Sequence, residues 1–168
     1  MLQISNVGTT ADNVKPFQLS TVSHELYEYY RSAEAYHIFE DFLDFVKAPK
    51  HRQGIQWAVI SNFDVRLHTI LQRLNIAHHF DLIMTSEEAK SSKPSKDIFV
   101  KTIEELGLEC LSPNTILHIG DDKTKDCPPT GWHRVLLQRE NQSKLVVENG
   151  ICASFDDISK LLVQVHPT

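Results

Sequence analysis

The chain has 168 residues, 41% of them hydrophobic and 23% charged, with a formal net charge of −5. That length and balance suit one globular domain with a real core. Scattered basic residues under a negative total argue against a nucleic-acid partner, and apolar runs of only a few residues exclude a membrane-spanning helix.

Residues 1–19 are polar and weakly patterned. Leu2-Gln3-Ile4 fits a short strand, and disorder fits a terminus equally well. A helix is predicted from Ser20 or Thr21 as N-cap, with Leu26, Tyr29 and Tyr30 on one face. A second helix is predicted over Ala33–Lys47, because Ile38, Phe39, Phe42, Leu43, Phe45 and Val46 recur at three- and four-residue spacing. Asp41 and Asp44 lie between these positions and read as a solvated face. Lys47, Lys50 and Arg52 follow where that helix should end, and they complement its dipole.

Gln56–Ile60 reads as a buried strand. Asp64 is placed to cap a helix carrying Leu67, Ile70, Leu71 and Leu74 inward. Leu82–Met84 reads as the next strand, with Ser86, Glu87 and Glu88 starting a helix. The polar loop Ser91-Ser92-Lys93-Pro94 precedes a helix from about Ser95 to Leu106, facing inward through Ile98, Phe99, Thr102 and Ile103. Thr115–Ile119 and Val135–Leu137 are further strands, and Ser154 caps a terminal helix with Ile158, Leu161 and Leu162. No repeat or low-complexity tract interrupts the pattern.

Cys110, Cys127 and Cys152 are odd in number and widely spaced, which points to a reducing compartment rather than a disulfide framework or a zinc site. Of the nine histidines only His78 and His79 are adjacent, and no His-x-x-x-His pair occurs, so they read as structural or surface residues. Met1–Thr10 has neither the basic start nor the apolar stretch of a signal peptide. The expectation is a soluble intracellular protein, in cytoplasm or nucleus, with no membrane or nucleic-acid partner and no protein partner indicated.

Strands alternating with helices across short connections predict a parallel α/β sheet, whose ligand crevice lies beyond the carboxyl ends of the strands. Ser61, the loop holding Lys93, and Asp121 all fall just past strand ends or on that side, so these polar groups should converge. Phosphoryl chemistry needs anion recognition, charge neutralisation and a nucleophile or base. Ser61 can donate its hydroxyl to a phosphate, and Asn62 stands beside it. Lys93 is a point charge suited to phosphate oxygens. Asp121 is a hard oxygen ligand of the kind Mg²⁺ takes, Asp122 is a further candidate, and Asp126 fits an outer-shell role toward the metal waters or Lys93. Singly these segments are ordinary turn chemistry; as an ordered set they point to a phosphate site.

Ala58-Val59-Ile60-Ser61-Asn62-Phe63-Asp64 with Arg66-Leu67, Lys93-Pro94 with Ile98-Phe99, and His118-Ile119-Gly120-Asp121 with Asp126 resemble the second, third and fourth motifs of the haloacid dehalogenase-like hydrolase superfamily. The likeness runs over about residues 22–165 and is closest to one subgroup. It implies a three-layer Rossmann-like parallel sheet acting on a small phosphorylated molecule with Mg²⁺. In that family an Asp of the first motif attacks the phosphoryl group, and a second Asp two positions later is acid and base. By position, the resemblance assigns Ser61 and Asn62 to phosphate, Lys93 to charge stabilisation, Asp121 to Mg²⁺, and Asp126 to support behind it.

No Asp-x-Asp pair occurs in the chain; only Asp12, Asp41 and Asp44 precede Ser61. The chain therefore resembles a truncated member that lacks the first, central strand and most of the helical cap. It divides as a polar segment 1–19, a cap remnant 20–50 and a partial core 51–168. The strands ending at Ser61 and Gly120 would then stand two strand spacings apart. Either they close up, or Leu2–Val7 fills the gap, or the fold is marginal; closure or instability is the expectation. Cys127-Pro128-Pro129-Thr130-Gly131 leaves no room for the helix that the family carries after its fourth motif. Three functional readings stay open: an impaired phosphatase-like protein with weak or absent Mg²⁺ binding, an active Mg²⁺-dependent phosphatase if the sequence is incomplete, and a non-enzymatic interaction or regulatory domain. A receiver-type signalling domain is disfavoured, because its acidic pair comes first and its Lys last.

Overall fold

In the computed structural model the described residues are 19–48, 54–139, 151–152 and 154–159. The expectations for Leu2–Val7, Lys50, Arg52, Leu161 and Leu162 lie outside them. Among the described residues the helices with defined ends are α1 (Leu19–Arg31), α2 (Glu40–Lys47), α3 (Arg66–Arg73), α4 (Ser86–Ala89) and α5 (Lys96–Glu105). The strands are β1 (Ala58–Ser61), β2 (Leu82–Thr85), β3 (Leu117–Gly120), β4 (His133–Leu137) and β5 (Ile151–Cys152). Short 3-10 turns cover Ala33–Ala35, Ala77–His79 and Pro113–Thr115, and residues 155–159 are helical.

Every strand pairing is parallel, as the alternating pattern requires. The single sheet is not formed among the described residues. β1 pairs with β2 from Ala58↔Leu82 to Ser61↔Thr85, and β3, β4 and β5 make a second ladder. β1 and β3 share no hydrogen bonds, so the expected closing-up does not occur there. Helix α5 touches both ladders. Phe99 of α5 is fully buried in a cluster with Met84, Ala89, Ile98, Ile60 and Leu82 beside β1 and β2. Its ring also meets His118 of β3 edge-on at 5.1 Å.

Local chemistry sets the element ends. Trp57 and Asp81 staple the entry to the first ladder: Trp57 N–H donates to Asp81 Oδ2 at 2.7 Å and Asp81 N–H to Trp57 O at 2.8 Å. The N-cap of α3 is Val65 rather than the expected Asp64, which stands one residue earlier with Oδ1 accepting the Arg66 N–H at 2.9 Å. Thr85 and Glu88 form a reciprocal capping box on α4, and Ser95 caps α5 by accepting the Asp97 N–H at 3.3 Å. The double proline does exclude a helix, since residues 127–130 are irregular.

Residues 33–47 do not form one helix. After the Ala33–Ala35 turn the chain runs extended through Tyr36 and Phe39 before α2 begins at Glu40. The apolar spacing is interrupted because Phe39 points outward, 50% exposed, with the Arg139 guanidinium 3.8 Å above its ring. On α1, which starts at Leu19, the predicted face is exposed, with Leu26, Tyr29 and Tyr30 at 52%, 47% and 55%. α2 belongs to the core: Phe45 and Val46 pack with Val135 and Ile158, flanked by Trp57, Leu117 and Ile119.

Asp41 corrects the reading of a solvated face. Its Oδ2 accepts Arg139 Nη1 at 3.0 Å and the Phe155 N–H at 2.9 Å, tying α2 to the end of β4 and to the last helix. Burial alone would raise its pKa; the Arg139 and Phe155 hydrogen bonds outweigh that and lower it. Asp41→Ala is expected to cost about 2 kcal/mol, as for a partly buried charged hydrogen-bonding group. Asp44→Ala, on the exposed side, should change stability by less than about 0.5 kcal/mol. Urea unfolding of the two variants checks the contrast.

Candidate functional site

Ser61 ends β1, and Asn62 follows it in the turn. The Asn62 side chain clamps the Lys93 backbone: Lys93 N–H donates to Asn62 Oδ1 at 2.7 Å, and Asn62 Nδ2 donates to Lys93 O at 2.9 Å. Asn62 thus holds the loop before α5 against the end of β1, and its amide is committed to that task. The Lys93 side chain, only 14% exposed, then reaches Asp126 Oδ1 at 2.6 Å.

Asp126 is the hub. It is 2% exposed, and Oδ1 faces both Lys93 Nζ and His118 Nε2, the latter at 3.0 Å. Its Oδ2 accepts the Asp122 N–H at 3.0 Å. Burial pushes its pKa up, but the bonds from Lys93, Asp122 N–H and His118 together hold it below the usual carboxylate value. Burial keeps the His118 pKa below its usual value despite the carboxylate beside it. Gly120 is required by this packing. A Cβ there would lie 2.1 Å from Asp126 Cγ and 2.3 Å from Oδ2.

Asp122, a sequence candidate for metal, caps its own turn. Its Oδ1 accepts the N–H groups of Thr124 at 2.8 Å and Lys125 at 3.0 Å, and Oδ2 pairs with Lys125 Nζ at 3.1 Å. The two backbone bonds lower its pKa to about 2. Asp121 is exposed on the rim, and among the described residues none donates a hydrogen bond to it. Ser61, Asn62, Lys93, Asp121, Asp122 and Asp126 line one open cleft of roughly 600 Å³, together with Lys123, Thr124, Lys125 and Gln138. All the sequence-selected residues therefore meet in one place. His118 and the steric role of Gly120 were not singled out. The signal for His118 was a polar side chain inside the apolar strand Leu117–Gly120.

These shifts fix the sign of the acid response. His118 is held neutral when folded, so the unfolded chain takes its proton first and stability begins to fall as pH drops through 6.5. Asp41, Asp122 and Asp126 have depressed folded values, so their contribution is complete above about pH 4 and is lost as pH falls through those values toward 2. The urea midpoint is expected to decline from pH 7 to 5 and more steeply below pH 4. A midpoint that rises on acidification contradicts the network.

A parallel α/β domain with a lysine, a hydroxyl and carboxylates gathered beyond the ends of its strands has the layout of a phosphoryl-binding hydrolase. The sequence profile of haloacid dehalogenase-like hydrolases matches residues 5–129, and the chain belongs to that family. The match begins earlier and ends sooner than the motif-based likeness over about residues 22–165.

The rhythmically expressed gene 2 protein of Drosophila melanogaster is 36% identical over 111 residues, covering 64% of this chain and 43% of that protein. Haloacid dehalogenase-like hydrolase domain-containing protein 3 of Danio rerio is 33% identical over 132 residues, 77% of this chain and 53% of that protein. The chain spans about half the length of the curated relatives it matches. Among solved structures, a HAD phosphatase from Thermococcus onnurineus aligns with a TM-score of 0.67 at 19% identity, over 83% of this chain and 64% of that one. A HAD-superfamily hydrolase from Ehrlichia chaffeensis aligns at 0.62 and 17% identity, over 88% and 71%. At these identities the structures speak for the fold.

The Mg²⁺ that the family implies is not matched by a chelating set. Asp126 and Asp122 have both oxygens bonded, which leaves Asp121 as the open carboxylate in the cleft. Among the described residues no group of three or more His, Cys, Asp or Glu side chains could hold a metal ion. These residues do not make a metal site by themselves.

Proposed function

We propose that the cleft receives the phosphoryl group of a small phosphorylated molecule and that this chain binds it without turning it over. The convergence of Ser61, Lys93 and Asp121 in one cleft carries the binding half of that reading. The Ser61 hydroxyl donates to a phosphoryl oxygen, and the Lys93 ammonium offers the N–H directions that Asp126 does not use. Asn62 contributes by fixing Lys93, with its backbone N–H left for the anion. Asp121 supplies the single carboxylate a cation at the rim would meet.

The absence of turnover follows from the carboxylates. Nucleophilic catalysis needs an unencumbered attacking oxygen with an acid and base at hand. Asp126 and Asp122 are bonded at both oxygens, and the sequence contains no Asp-x-Asp pair. A second reading is a Mg²⁺-dependent phosphatase centre, completed when a longer polypeptide brings the attacking strand. Its support is that relatives extend about twice as far and that a fold neighbour, YfnB of Bacillus subtilis, is described as bound to magnesium. Among the described residues no helix is long and apolar enough to cross a membrane, and we place the protein in the soluble intracellular space. Calorimetric titration with inorganic phosphate tests the binding reading. Saturable binding weakened about tenfold in Ser61→Ala supports it, and absence of binding by the wild-type chain overturns it.

A further inference from the structure

We propose that His118 is a positioning residue for Lys93: by occupying the inner side of Asp126 Oδ1, it leaves only the cleft-facing side of that oxygen to the ammonium. The inference rests on the reading that Lys93 serves an anion in the cleft, and it adds a residue that lies outside the cleft lining.

The geometry is specific. His118 Nε2 stands 3.0 Å and Lys93 Nζ 2.6 Å from the same oxygen. His118 is 8% exposed and does not line the cleft, whereas Lys93 does. The two donors thus share Oδ1, the histidine from outside the cleft lining and the lysine from within it. A carboxylate oxygen offers two lone-pair directions. With the inner one filled, the ammonium is held at the outer one, and its remaining N–H directions face the opening.

Without the imidazole donor the inner direction is vacant. A flexible lysine head group would then turn inward to take it, following the stronger field of a buried carboxylate. The other Asp126 oxygen offers no competing place, because it accepts the Asp122 N–H at 3.0 Å. The imidazole packs edge-on against Phe99, whose ring meets it at 90°. The carboxylate facing Nε2 sets the tautomer with the proton on that nitrogen.

The test uses the full chain labelled with ¹⁵N-lysine and ¹⁵N-histidine. In wild type the Lys93 ammonium should give a resolved ¹H–¹⁵N correlation, shifted by added inorganic phosphate. His118→Phe keeps a ring against Phe99 and removes the donor; it should move or broaden the Lys93 signal and weaken phosphate binding about tenfold. His118→Gln restores an N–H at similar reach and should recover both. A Phe variant with the wild-type Lys93 signal overturns the proposal, because a packing role alone leaves that signal unchanged. Should the Phe variant fail to fold, the wild-type imidazole correlations decide: the Nε2–H tautomer supports the proposal and the Nδ1–H tautomer overturns it. A Lys93 signal that responds to His118→Phe yet ignores phosphate supports the His118 role while overturning the reading of the cleft.

Discussion

Gly120→Ala is expected to be the most damaging small substitution in this chain, costing about 4 kcal/mol. A methyl group at this position would sit 2.1 Å from Asp126 Cγ, 2.3 Å from Oδ2 and 2.5 Å from Cβ. The Asp126 side chain is 2% exposed and bonded at both oxygens, so it cannot swing freely aside. Overpacking in a tight interior costs about 1–3 kcal/mol. Here the displaced group is also a buried carboxylate whose ion pair and hydrogen bonds must break, and breaking such a pair costs about 3–5 kcal/mol. The two costs overlap, because a partial shift of Asp126 relieves the clash. Against a total of about 5–15 kcal/mol for a domain, the variant should be partly unfolded at room temperature. Urea unfolding measures it. Gly107→Ala is the control: its φ is +67° but nothing lies within 4 Å of the added carbon, so its cost should stay near 1 kcal/mol. Equal effects at the two glycines would show that Asp126 is not packed as described.

Lys93→Met should cost about 3 kcal/mol and abolish phosphate binding. The substitution keeps the length and apolar stem of the side chain but removes the ammonium from Asp126. The carboxylate then stays buried with the His118 and Asp122 donors only. Their persistence is the reason to expect the lower end of the range for a broken buried pair. The double variant Lys93→Met with Asp126→Asn should recover at least half of the lost stability, since the uncompensated charge is gone. It should not recover phosphate binding. This split separates the structural part of the lysine from its part in the cleft. If the single variant is as stable as wild type, the 2.6 Å pair is not an energetic element of the fold.

What could be read from the sequence was what depends on near neighbours. Short apolar runs gave β1, β2, β3 and β4 within a few residues, because a buried parallel strand is apolar on both faces. The meeting of Ser61, Lys93 and Asp121 followed from the rule that loops past the carboxyl ends of parallel strands share one side of the sheet. Asp41 was misread because its partners, Arg139 and Phe155, lie 98 and 114 positions away. A charge between apolar helical positions looks the same whether it meets water or a distant guanidinium. Asn62 shows the same limit: it looked like a ligand for phosphate beside Ser61, whereas its side chain is bonded to a residue 31 positions on. The break at residues 36–39 was hidden because Phe39 keeps the spacing of a buried position while its ring faces Arg139. The gap between β1 and β3 was legible as the place of a missing central strand, but the expectation that the two strands would close up was not met.

Together these observations describe a cleft whose lysine is prepared by its surroundings. Asn62 fixes the backbone, Asp126 holds the ammonium, and Gly120 makes room for Asp126. Asn62 comes from the end of β1, and Gly120 and Asp126 from the end of β3, so the arrangement joins the two ladders. Both Asp126 oxygens are occupied in turn, Oδ1 by Lys93 and His118 and Oδ2 by the Asp122 N–H.

The most direct test is a ³¹P NMR titration of the purified chain with a generic phosphate monoester in the presence of Mg²⁺. The account predicts that the ester resonance shifts or broadens with protein, that Lys93→Met abolishes this change, and that no inorganic phosphate signal grows with time. Growth of an inorganic phosphate signal that disappears in Asp121→Ala would contradict it.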